Sequence, residues 1–153
     1  MSPSMRITIL WLHAIGGIAW IGAAVVFVIA ASATGIDDDE GLSMVRRIAP
    51  AINRIGLAAM LFIVVSGIVN IYIAGLMRRF SFSNAFIELL ALKIAALSAM
   101  YVLLTMSWRA EGLLASPDAS QARHAARRLM TFNLAIAGCG GIALLLGLWL
   151  LGS

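Results

Sequence analysis

Trp11-Leu12-His13-Ala14-Ile15-Gly16-Gly17-Ile18-Ala19-Trp20-Ile21-Gly22 lies inside an apolar run from Ile7 to Ala31 whose one ionisable residue is His13. A run so long and so poor in charge reads as a helix crossing a bilayer. About 20 residues, rising 1.5 Å each, span the hydrocarbon. The run is about twice as long as the core of a signal peptide, which favours a retained span. His13 and Trp20 are seven residues apart, so they share one helix face, with Gly17 between them. Polar side chains in membrane helices seldom face lipid, so this face is expected to look into the protein.

The rest of the composition agrees. Of 153 residues, 62% are hydrophobic and 12% charged, where a soluble domain has roughly half and a quarter. The class is all-α: an integral membrane four-helix bundle. The net charge of +4 does not point to nucleic acid, because the basic residues flank apolar spans as they do in membrane proteins. The one cysteine, Cys139, excludes an internal disulfide and any CxxC motif.

Four spans are predicted, at about 7–31, 51–77, 85–108 and 129–151, in a single membrane domain over 1–153 with neighbouring helices antiparallel. The polar segment from Thr34 to Ile48 reads as a solvated loop or a short interfacial helix. Pro50 is placed in the first turn of the second span. The short link between the second and third spans makes them neighbours. Ser116-Pro117-Asp118 reads as a cap, a first-turn proline and an acidic first turn, opening a helix through Arg123, Arg127 and Arg128 into the fourth span. Arg46, Arg47, Arg54, Arg109, Arg123, Arg127 and Arg128 fall on one side, and Arg6, Arg78 and Arg79 on the other. Seven against three puts both termini outside a bacterial-type cytoplasmic (inner) membrane.

Polar residues inside the spans are candidates for function. Counted from the predicted ends, His13, Asn70 and Lys93 lie about 9–12 Å deep on three different helices. Glu88 is shallower and five residues from Lys93, on another face. A membrane histidine at this depth can ligate copper or haem iron, or relay protons. Met1, Met5 and Met77 would suit copper as soft ligands, although methionine is more often filler. Met100 and Ser66 read as packing residues, as does Cys139. Ala137-xxx-Gly141 and Ala143-xxx-Gly147 mark a close-packing face of the fourth helix, within the bundle or in a homo-oligomer. Trp11, Trp108 and Trp149 sit near span ends, as interfacial anchors do.

The opening stretch, Leu12-His13 followed by Gly16, Trp20 and Gly22, resembles the first helix of the CopD-like and HemJ-like membrane families. Ser66-Gly67, the Leu90-Ala91-Leu92-Lys93 context and the Arg-rich segment from Arg123 to Arg128 extend the resemblance. It carries over to His13, Trp20 and Lys93; with Asn70, which the depth count places beside them, these are the expected cofactor-binding residues, and His13 is the expected metal ligand. CopD-like proteins imply copper handling at the outer half of the membrane. HemJ-like proteins imply a haem b or porphyrin redox protein, although Val102 follows Tyr101 where that family has a histidine. A small accessory subunit of a larger membrane complex is the third expectation.

Overall fold

A computed structural model of the chain describes residues 3–152, and for Pro3, Ser4, Arg6, Leu148, Leu150, Leu151 and Gly152 only the backbone. The expectations for Met1 and for the Arg6 side chain lie outside what is described. Four helices follow one another: α1 (Pro3–Thr34), α2 (Asp39–Met77), α3 (Asn84–Leu113) and α4 (Ala119–Gly152). Each is long and apolar enough to cross a membrane, so the chain is a multi-pass membrane protein. The α1–α2 and α3–α4 loops lie at one end, called the base here. The α2–α3 turn, the start of α1 and the end of α4 lie at the other, the terminal end.

One stripe per helix faces inward, at alternating three- and four-residue spacing. On α1 it is His13, Gly17, Trp20, Ala24, Phe27 and Ala31; on α3 it is Lys93, Leu97, Met100, Leu104 and Ser107. α1 packs along α2, α3 along α4, and α1 also along α4. α2 and α3 touch far less, although the short link had made them neighbours. The side-chain hydrogen bonds that join them are at the base. Ser107 Oγ donates to Asn53 Oδ1 at 2.8 Å, Asn53 Nδ2 donates to Glu111 Oε2, and Arg46 Nε donates to the Leu114 carbonyl at 2.8 Å. Towards the terminal end the two helices part.

Three local expectations are corrected. Of the segment before Pro50 only residues 35–38 are loop, and the rest is no separate helix. α2 starts at Asp39 and runs through Pro50, because Leu42, Val45 and Ala49 bury one face against Phe27, Ala122 and Leu129. The cap of α4 is Asp118, two residues later than expected. Its Oδ1 accepts from the Ser120 N–H at 2.8 Å, while the Ser116 hydroxyl accepts from the Asp118 N–H. Those Ser120 hydrogen bonds, backbone first, hold the Asp118 carboxyl below its usual range. Finally, a Cβ on Gly141 would meet nothing within 4 Å, so of the expected Ala137-xxx-Gly141 pair only Ala137 packs within the chain, against the core around Trp20 and Met100. Gly140 faces inward instead, where a Cβ would stand 2.5 Å from Ile21. Gly140→Leu is therefore expected to lower the unfolding temperature strongly and Gly141→Leu to leave it nearly unchanged, measured by thermal unfolding in detergent.

The α2–α3 turn closes on a Schellman-type cap. The Phe80 N–H donates to the Gly75 carbonyl at 2.7 Å, and Arg79 and Phe80 take φ of 50° and 57°. The Phe80 ring folds back where a Gly75 side chain would be. This holds Arg78 beside Phe86, its guanidinium 5.1 Å from the ring centroid.

Candidate intramembrane ligand site

Because α2 and α3 part, the terminal half of the bundle encloses a cavity of about 910 Å³ lined by all four helices. His13, Asn70 and Lys93 all line it. Trp20 does not: it lies in the core beneath, 2% exposed, with its indole against Gly56. The floor is made by Ile21, Met100 and Gly140. Met100 is thus both core, at 4% exposure, and cavity wall.

His13 is held in one orientation. Its Nδ1 lies 2.8 Å from Ser66 Oγ, and that hydroxyl also lies 2.7 Å from the Phe62 carbonyl. A hydroxyl has one hydrogen. Spent on Phe62, it leaves Ser66 to accept from Nδ1–H, and Nε2 keeps the lone pair. Glycine makes room for the ring: a Cβ on Gly67 would stand 3.3 Å from His13 Cε1. Ser66, expected to be packing glue between helices, is thus also the residue that sets the imidazole.

Lys93 reaches α4. A Cβ at Gly147 would stand 2.9 Å from its Nζ, so only glycine leaves the ammonium this seat. The expected close approach at Gly147 therefore exists, but it is made to a lysine side chain. One turn below, Gly17 of α1 faces Leu144 of α4. Lys93 and His13 consequently differ in depth by only ~1–2 Å, and Lys93 is within electrostatic reach of His13. Asn70 is four residues from Ser66, about one turn nearer the terminal end. Glu88 is exposed and, among the described residues, makes no ion pair with Lys93.

Metal-ligating groups are sparse. His124 is at the base, on the opposite end of the bundle from His13. Among the described residues no three His, Cys, Asp or Glu side chains come together around one point. Met77 and Met100 line the cavity with His13, whereas Met5 does not. The network of Asn53, Ser107 and Glu111 at the base is not among the polar groups that the sequence reading singled out. Its signal was Ser107 and Glu111, four apart on one helix face.

Fold and site together define a multi-pass helical membrane protein with a ligand-sized cavity in one half of its bundle. A scan against family models and searches of curated proteins and of solved structures match nothing to this chain.

Proposed function

We propose that the cavity binds a porphyrin-type cofactor, haem b, whose iron His13 would hold through Nε2. The observation that carries this reading is one oriented imidazole in the wall of a 910 Å³, mainly apolar cavity. Organic cofactor sites measure about 300–1,000 Å³, far more than a metal ion needs. The chain supplies one imidazole there and no cluster of hard ligands. A porphyrin brings four nitrogens of its own and needs an axial ligand. Bound haem would supply one-electron chemistry. The chain would bind it between apolar walls, fix the ligand tautomer through Ser66 and keep bulk water from the floor at Ile21 and Met100.

Copper handling is the second reading. It draws on the thioethers of Met77 and Met100 in the same lining as His13, since soft sulfur favours Cu(I). An absorbance spectrum and metal analysis on one purified sample test both. A Soret band with stoichiometric iron supports haem, and stoichiometric copper without that band supports the second reading. Neither species, after reconstitution with both, leaves the accessory-subunit role.

We also propose the cytoplasmic placement of the base in an inner-type membrane, from the seven-to-three distribution of basic residues. In a Cys139→Ala background, Ser81→Cys is expected to react with an impermeant thiol reagent from outside, and Ser120→Cys only after lysis. The reverse pattern overturns the orientation.

A further inference from the structure

The charges of the cavity are unequal. Lys93 and Arg78 line it, and no aspartate or glutamate does among the described residues. Among those residues neither cation forms an ion pair; the ion pairs lie at the base, Arg123 with Asp39 and Arg127 with Asp37. An ammonium held inside the membrane-spanning part of a helix is costly without a counter-charge. This one is also seated, since Gly147 leaves room for it against α4. Arg78 stands at the terminal end of the same cavity, over Phe86.

The cavity also opens through the side of the bundle, where acyl chains would lie. Ile68 of α2 and Ile94 of α3 line it and are nevertheless 63% and 53% exposed, so they form lips between the two parted helices. A membrane-dissolved molecule can pass between them without crossing water.

We propose that the cavity admits long-chain carboxylate amphiphiles sideways from the bilayer, between α2 and α3, with the acid group paired to Lys93. This rests on the cavity being a ligand site, as proposed above, but does not need the ligand to carry a metal. The acid supplies the charge the cavity lacks, and the chain lies along the apolar walls. Arg78 draws the acid in from the level of the headgroups.

The test uses the full chain in phosphatidylcholine vesicles with doxyl-labelled stearic acid and its methyl ester, read by electron spin resonance. The acid is expected to show a motionally restricted population at least tenfold above the ester's. Lys93→Met is expected to bring the acid down to the ester, with the protein still monodisperse. Ile68→Trp with Ile94→Trp is expected to slow exchange of the bound acid without changing the acid-to-ester ratio. Equal restriction of acid and ester in the unaltered protein overturns acid recognition while leaving the ligand site standing. Acid preference retained in Lys93→Met overturns the role of Lys93. Exchange unchanged by the two tryptophans overturns the sideways route. Restriction no greater than that of boundary lipid for either probe, in protein that also takes up no haem or copper, removes the ligand-site reading itself.

Discussion

Gly41→Ala is expected to cost about 3 kcal/mol and to leave most of the protein aggregated on extraction. Gly41 is the third residue of α2, where the α1–α2 loop folds back over the helix start. A Cβ there would lie 1.8 Å from the Gly35 carbonyl oxygen and 2.7 Å from its carbon. Both are backbone atoms, so no rotamer change relieves the overlap. The loop has little freedom to retreat, because Gly35 already sits at φ +72°, a region that other residues enter at a cost. Moving the loop would also pull Asp37 from Arg127 and disturb the adjoining pair of Asp39, at the start of α2, with Arg123. Those exposed pairs add little by themselves, so the backbone clash dominates. Gly112→Ala is the control, since a Cβ there meets nothing within 4 Å. Thermal unfolding and gel filtration in one detergent separate the two variants. Equal behaviour would show that the loop is free to shift.

How far the sequence could be read depended on whether lipid or water surrounded the residue. The four helices were legible because the bilayer demands long uncharged runs, and polar groups such as His13 and Lys93 stand out against them. Which face of each helix turns inward was much less legible, because lipid-facing and protein-facing residues are both apolar. Gly140 packs and Gly141 does not, yet it is Gly141 that stands at small-residue helix-packing spacing from Ala137. The pairing of His13 with Ser66 was missed for a geometric reason. Depth was counted from a helix start at Ile7, but α1 begins at Pro3. Four more residues, about 6 Å, bring His13 level with Ser66. The parting of α2 and α3 left no trace in loop length, since a short turn constrains only the ends it joins. At the base, outside the apolar spans, Pro50 looked like a helix start. Burial of Leu42 and Val45 carries the helix past it.

His13→Ala is expected to abolish the bound haem or copper, and Ser66→Ala to weaken it by about 10- to 100-fold, the usual effect of losing a hydrogen bond behind a ligand. The two substitutions act on one imidazole in different ways. The first removes the donor nitrogen. The second leaves it in place but removes the hydroxyl that accepts from Nδ1–H, 2.8 Å away, so the ring keeps only its backbone hydrogen bond to Ile63 and is held less firmly in tautomer and angle. Ser66 is 8% exposed and also donates to Phe62. Its hydroxyl therefore bonds within α2 as well, and alanine should change the fold little, because the Phe62 carbonyl keeps its helical partner. Gly67→Val supplies the steric counterpart. Its Cβ would stand 3.3 Å from Cε1 and the branched methyls nearer, so the ring must swing and the bound species should be lost as fully as in His13→Ala. The readout is the chromophore or copper per protein after purification, with gel filtration to show that the bundle is intact. Full retention in Ser66→Ala would mean that the hydrogen bond does not orient the ligand. Full retention in His13→Ala would move the site off this residue altogether.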